Sequence, residues 1–370
     1  MSKSRLQQLT ELGQSVWIDS LSREMLETGE LERLVREDSV SGVTSNPTIF
    51  QKALAEGDWY DRELRELASL GDAREIFFRL AEDDVRRACD LLRPLHEKTK
   101  GLDGYVSLEV DPTLAYDSEQ TYKQTLHLHR DVDRPNLYVK IPATRPGLPA
   151  IEDAIAAGHS VNVTLIFSLQ RYSEVVDAYL RGLERRVAAA GDISQISSVA
   201  SFFVSRVDSE ADKRLEQVGT PAALALRGKL AVANAKLAYR HFQQVFSGER
   251  WQYVASKGAR VQRCLWASTS TKNPAYSDTL YVSDLIGPDT VNTMPIETVR
   301  AFQDHGTAAN TLAEGVDEAQ RLLEQIEAAG VSYAEVVDTL EAEGVEKFAD
   351  SFAELLVGIE KKLEKLEVVR

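Results

Sequence analysis

The sequence predicts a (β/α)8 barrel. Three observations carry that prediction: eight short apolar strand candidates, helix-patterned stretches after most of them, and a polar residue at the end of nearly every strand. The candidates are 15–19 (SVWID), 40–44 (VSGVT), 104–109 (GYVSLE), 136–141 (NLYVKI), 160–166 (SVNVTLI), 197–203 (SSVASFF), 261–267 (VQRCLWA) and 290–294 (TVNTM). Strands alternating with helical segments build a parallel sheet. Several of these runs are apolar throughout, as expected when helices cover the sheet on its outer side.

A length of 370 residues suits one barrel domain, since the core takes roughly 250 residues and tolerates long insertions. Two stretches exceed the minimal unit. Residues 51–99 hold enough helical pattern for two or three helices between the second and third strands. The tail from about 308 to 370 also reads as helical. There Phe348, Phe352, Leu355, Leu356, Ile359, Leu363 and Leu366 recur in steps of three and four, an amphipathic face expected to pack on the outside of the barrel.

Composition narrows the function. The formal charge of −15 argues against nucleic-acid binding, which needs a basic face, but leaves room for a small anionic substrate held by a few local cations. No apolar run approaches the ~20 residues that cross a bilayer. The polar start MSKSRLQQLTELGQ has no apolar signal region, so a cytoplasmic location is expected. The two cysteines, Cys89 and Cys264, lie far apart and outside any CxxC pattern, which suits two buried thiols in a reducing compartment. Acidity and extra helices are compatible with a monomer or a homodimer.

In a barrel the C-terminal strand ends converge on one mouth, where catalytic groups collect. Here those ends carry Asp19, Asn46, Glu109, Lys140, Thr164 and Ser201. Lys140 stands out because Tyr138, Val139, Ile141 and Pro142 surround it in an apolar strand, whereas Lys361, Lys362 and Lys365 sit on a polar helix. An ordinary lysine, with pKa near ~10.4, is almost wholly protonated at neutral pH, so a nucleophilic amine gains from desolvation. The strand context leaves a plain alternative open, a buried ion pair with Glu109 or Asp19. If Lys140 forms a Schiff base, two carboxylates in different environments divide the proton transfers, one for dehydration and one for carbon–carbon cleavage. Asp19 and Glu109 are the candidates.

Metal chemistry is the rival reading of a carboxylate-lined mouth. The six histidines do not support it, because His127 and His129 fall on different faces of one helix and no HExxH pattern occurs. GxGxxG and GxxxxGK[ST] are absent as well.

Seven segments, in order along nearly the whole chain, together resemble the transaldolase family. They are SGVTSNPTIF (41–50), VSLEVDP (106–112), LYVKIPAT (137–144), VNVTLIFS (161–168), ASFFVSRVD (200–208), ASTSTKNPAYSD (267–278) and DTVNTMP (289–295). The resemblance implies a cofactor-free transferase of the non-oxidative pentose phosphate pathway. Such an enzyme moves a dihydroxyacetone unit from sedoheptulose 7-phosphate to glyceraldehyde 3-phosphate through a lysine Schiff base. It assigns Lys140 as that lysine, Glu109 as the acid handling the catalytic water with Thr164, and Asp19 as the acid/base at bond cleavage. Asn46 and Ser201 become substrate contacts, and Arg206 a phosphate contact. One departure stands out. Shorter relatives follow Ala-Ser with a phosphate-binding arginine after the seventh strand; here Ala267 and Ser268 are followed by Thr269, and Lys272, a point charge without the arginine fork, is the expected source of the second positive charge. The alternatives are an aldolase that releases free dihydroxyacetone and an inactive barrel serving as a binding protein.

Overall fold

The structure, a computed structural model, describes residues 4–366. Its eight strands are β1 (Gln14–Asp19), β2 (Val40–Thr44), β3 (Val106–Glu109), β4 (Leu137–Pro142), β5 (Val161–Ile166), β6 (Ser198–Phe203), β7 (Gln262–Ala267) and β8 (Thr290–Met294). Each pairs in parallel with its sequence neighbours, and β8 returns to β1 with Met294 beside Ile18, which closes the barrel. All eight expected strands form, shifted at their ends by no more than a couple of residues. Alternation along a strand sends Lys140 inward while Val139 and Ile141 support the surrounding helices.

Buried polar side chains occupy part of the barrel interior and hydrogen-bond one another across strands. Ser201 Oγ donates to Asn162 Oδ1 at 2.7 Å, and Asn162 Nδ2 donates to Ser107 Oγ at 3.0 Å. Gln262 reaches Ser198, and Gln14 reaches Thr290. The desolvation at the mouth therefore comes from enclosure by protein, with hydrogen bonds fixing the side chains that surround it.

Helices Pro47–Ala55, Asp61–Leu67 and Ala73–Lys98 separate β2 from β3, within the expected two or three. The tail forms helices Val316–Ala328 and Tyr333–Lys365; of the residues 308–370 read as helical, 367–370 lie outside the described range. Burial of its apolar stripe holds the last helix, with Phe352, Leu355 and Ile359 each nearly inaccessible. Each such side chain contributes roughly 1.5–3 kcal/mol. Phe352 joins Phe50, Phe77 and Phe78 in an aromatic cluster with centroid separations of 5.0–6.2 Å.

This helix packs on Pro47–Ala55, Ala73–Lys98, Ser205–Val218, Pro112–Leu114 and the end of β5, so it reaches from the helical layer to the mouth. The amphipathic stripe reported that one face is buried; it could not report against what. Gly344 allows the approach, because a Cβ there would lie 3.2 Å from Leu165 Cδ2 and 3.4 Å from Phe167 Cε2. Leu165 itself adopts φ 60, where β5 slips register against β6 between Val163 and Ile166. A bulge with left-handed backbone beside Thr164 is strain of the kind that accumulates at functional sites.

Candidate active site

Lys140 and Glu109 face each other because β3 and β4 pair in register at these two residues. Lys140 is 4 % exposed, and its Nζ lies 3.3 Å from Glu109 Oε2. That ion pair is the one polar contact of the Glu109 carboxyl among the described residues. Nζ does donate to the Ser45 carbonyl, at 3.2 Å. Burial, helped by the neighbouring Asp19 charge, pushes the Glu109 carboxyl up to about 7 against the opposing pull of Lys140. Glu109 can therefore change protonation near neutral pH.

Asp19 ends β1 and is held by Thr44 Oγ1, which donates at 2.7 Å; Thr44 and Thr293 share a further hydroxyl contact of 2.7 Å. Burial raises its pKa, while Lys140, Thr44, Arg206 and Lys272 oppose the rise. The two carboxylates thus have different partners, Glu109 an amine and Asp19 a hydroxyl. Thr164, two residues before the end of β5, has its Oγ1 buried and without a hydrogen-bond partner. A buried polar group without a partner requires an explanation, and Thr164 Oγ1 is such a group on a residue that lines the cavity described next.

These strand ends open into a cavity of about 660 Å³, lined by Asp19, Asn46, Lys140, Thr164, Ser201, Arg206 and Lys272. Seven of the eight residues picked from the sequence thus share one space. The eighth, Glu109, sits directly behind it, against Lys140. Asn46 also caps the helix Pro47–Ala55, where its Oδ1 accepts from the Ile49 amide at 3.0 Å. The cap leaves the Asn46 amide nitrogen as the group available to a ligand.

Arg206 lies in the first turn of the helix Ser205–Val218, directly after β6. It forms no salt bridge among the described residues, and its buried Nη1 has no hydrogen-bond partner. Its guanidinium instead packs over Phe203 (5.3 Å) and Phe348 (6.0 Å). Burial lowers its pKa. Lys272 borders the same cavity and donates to Ser270 Oγ at 2.7 Å. Its pKa is lowered by burial and then by Arg206, which marks the two cations as neighbours. Most arginines of this acidic chain are paired with carboxylates, so two adjacent unpaired cations form a seat for an anion.

Sequence reasoning missed several contributors. Thr44 and Thr293 orient Asp19, and the Ser45 carbonyl holds Lys140; an inward-facing threonine at a strand end was the available signal for the first two. Lys52 and Arg300 also line the cavity, with Glu24, Glu30, Glu56 and Glu297; Arg300 lies 3.8 Å from Glu30. Phe348 is the largest omission. Its ring lies 5.6 Å from Lys140 Nζ as well as beside Arg206, so the C-terminal helix supplies a wall of the site.

The His and carboxylate residues offer one cluster of metal-holding dimensions among the described residues, Glu82, His127 and Asp131. It combines a His–Asp pair spaced i,i+4 with a carboxylate from the preceding helix, a pattern outside the His–His spacings considered above. None of the three lines the cavity. Arg130 already contacts His127 and Asp131, and Arg79 stands 3.8 Å from both carboxylates.

The sequence profile of the "Transaldolase/Fructose-6-phosphate aldolase" family matches residues 16–359. The chain belongs to that family. A protein of Thermobifida fusca named transaldolase is 55% identical over 362 residues, covering 97% of this chain and 98% of its own. One of Parafrankia sp., also so named, is 53% identical over 365 residues, covering 98% and 99%. One of Mycolicibacterium smegmatis is 52% identical over 358 residues, 96% of each. Similarity of this extent leaves no part of the barrel or of the C-terminal helices outside the match with the Parafrankia protein except a few residues. No helix of the described residues is long and apolar enough to cross a membrane.

Proposed function

We propose that this protein is a transaldolase whose nucleophile is Lys140, acting on sugar phosphates in the non-oxidative pentose phosphate pathway. The observation that carries the reading is a buried lysine 3.3 Å from a buried carboxyl, lining a cavity that the unpaired cations Arg206 and Lys272 also line.

Lys140 Nζ, having passed its proton to Glu109, adds to the C2 carbonyl of sedoheptulose 7-phosphate or fructose 6-phosphate. The resulting carbinolamine loses its hydroxyl as water, with Glu109 returning a proton through a water held by Thr164. Asp19 then takes the proton from the C4 hydroxyl. The C3–C4 bond breaks, its electron pair moves into the protonated imine, and an aldose phosphate leaves. The imine is the electron sink, so the scheme uses no metal or organic cofactor. The enamine carbon next adds to the aldehyde of a second aldose phosphate, Asp19 returns its proton to the new hydroxyl, and water releases the product ketose from Lys140. Asn46 and Ser201 hold the three-carbon unit, while Arg206 and Lys272 hold the phosphate. Phe348 and Phe203 shield the adduct from bulk water.

The family name covers two outcomes, since protonation of the enamine by solvent would release dihydroxyacetone. The test is to supply fructose 6-phosphate with and without erythrose 4-phosphate and to measure sedoheptulose 7-phosphate and free dihydroxyacetone together. The reading predicts acceptor-dependent turnover with little free dihydroxyacetone. Release at an equal rate without acceptor would instead assign an aldolase, and no turnover of either kind would favour a binding protein.

A further inference from the structure

The segment TKNPAYSD, which the catalytic scheme leaves unused beyond Lys272, is tied to the helix that carries Arg206. We infer that Tyr276 and Asp212 form a latch that sets Lys272 beside Arg206 and thereby shapes the phosphate seat. The inference rests on the reading of that seat given above.

The latch begins on the helix Ser205–Val218. Arg206 is in its first turn, and Asp208 and Asp212 follow it on the side facing the segment after β7. Tyr276 Oη donates to Asp212 Oδ2 at 2.6 Å, while Asp212 Oδ1 accepts from the Gly228 amide at 2.8 Å. Tyr281 and Asp208 repeat the pattern one turn earlier. Tyr281 Oη donates to Asp208 Oδ2 at 2.8 Å, and Asp208 Oδ1 accepts from the Ala231 amide at 2.8 Å. Both carboxylates therefore bind one backbone amide and one tyrosine, joining three segments of chain at a single helix. A side chain at residue 228 would block the first contact. Gly228 has φ +68, and a Cβ on it would lie 2.6 Å from Tyr276 Cζ, so the ring rests against bare backbone.

The loop is stiff enough to pass this anchorage on to Lys272. Thr271 Oγ1 donates to the Ser277 carbonyl at 2.7 Å, the Tyr276 amide donates to Asn273 O at 3.1 Å, and the Ala275 amide donates to Asn273 Oδ1 at 3.0 Å. Fixing Tyr276 thus fixes the turn from which Lys272 projects. Lys272 stands where the active-site cavity meets a smaller one, of about 240 Å³, that Asp212 and Tyr276 also line. A lysine has a long flexible stem and binds phosphate as a point charge, so its effect depends on how well its backbone is held. A latch on the loop is a physical counterpart to having lysine at this position.

Tyr276 is accordingly a positioning residue for the phosphate seat. The test is steady-state kinetics on Tyr276→Phe, with fructose 6-phosphate as donor and inorganic phosphate as competitive inhibitor. Loss of a hydrogen bond to a charged acceptor predicts a rise of about tenfold in both KM and the phosphate Ki. The kcat should stay within about twofold of the parent under the same reasoning. Asp212→Asn, which keeps an oxygen for the Gly228 amide, is the second variant, with the same direction expected. Lys272→Ala should raise KM and Ki by itself, and adding Tyr276→Phe to it should change them little further. A Tyr276→Phe enzyme with unchanged KM and Ki, or with kcat falling alone, overturns the latch while a raised KM in Lys272→Ala keeps the seat. Unchanged KM and Ki in Lys272→Ala would overturn the seat itself, and the latch with it.

Discussion

The two ends of the barrel handle buried charge in opposite ways. At the N-terminal end, Asp103 is fully satisfied. Its Oδ2 accepts from Ser15 and from Ser41 (2.8 Å), and its Oδ1 accepts from Trp17 Nε1 (2.7 Å) and the Gly104 amide (3.2 Å). Arg263 completes the plug by donating to Ser15 Oγ and to the Leu102 carbonyl. At the C-terminal end the buried charges are less complete: Arg206 Nη1 has no hydrogen-bond partner and Glu109 meets only Lys140, while unpaired uncharged oxygens occur at both ends, Thr164 Oγ1 at this one and Gln14 Oε1 and Gln262 Oε1 at the other. A satisfied buried network stabilises and rigidifies, whereas unsatisfied groups cost stability and persist where a ligand completes them. One end stabilises the fold; the other is arranged for chemistry.

Substitutions at each end should separate these roles. The largest effect is expected from Lys140→Ala, which should lose at least about 10⁴-fold in kcat by removing the nucleophile. Its thermal unfolding midpoint should stay at or above that of the parent, as read by circular dichroism. A large fall in that midpoint would show that Lys140 mainly stabilises the barrel. Asp103→Ala is the converse, expected to cost about 3–5 kcal/mol in urea unfolding because it leaves the Ser15, Ser41 and Trp17 donors without their acceptor and Arg263 without its counter-ion 3.9 Å away. Turnover per folded molecule should remain close to the parent's. Equal stability in the variant would remove the contrast between the two ends.

Glu109→Gln should lower kcat by about 10²–10³-fold through loss of acid–base function. Its pH profile sharpens the case. Burial holds the Glu109 carboxyl up to about 7, so below that pH it is already protonated and cannot accept the proton of Lys140. The parent's kcat/KM should therefore fall as pH drops through about 7. The residual activity of Glu109→Gln should lack that limb, and an unchanged limb would assign it to another group. A smaller effect is expected at Phe348, where Phe348→Ala should reduce kcat/KM by roughly tenfold through lost ring contact with Lys140 and Arg206. It should also raise the share of donor turnover that ends as free dihydroxyacetone, measured enzymatically. A normal partition would confine Phe348 to packing.

Most of the barrel was legible because its signals are local. Apolar strands ending in polar residues mark both the fold and the mouth, and Lys140 was conspicuous as a charge within NLYVKIP. Glu109 and Asp19 were recognisable as candidates for the same reason. Their differing environments were not, since Asp19's partner Thr44 comes from another strand and Lys140's partner Ser45 offers only a backbone oxygen. The path of the C-terminal helix was illegible for a further reason. Phe348 and Phe352 lie on one amphipathic stripe, yet Phe352 packs among Phe50, Phe77 and Phe78 while Phe348 reaches the active-site cavity. Helical periodicity fixes the buried face but leaves its partner unspecified. The same limit hid Tyr276, whose acceptor Asp212 is remote in sequence and reached only after the barrel closes.

The central claim is that the amine of Lys140 forms a covalent imine with the donor ketose. Incubation with fructose 6-phosphate and borohydride, followed by proteolysis and mass mapping, tests it directly. The account predicts irreversible inactivation and a reduced three-carbon or ketose adduct on the peptide containing Lys140, absent from Lys140→Ala. An adduct on another lysine, or full activity after the treatment, would contradict it.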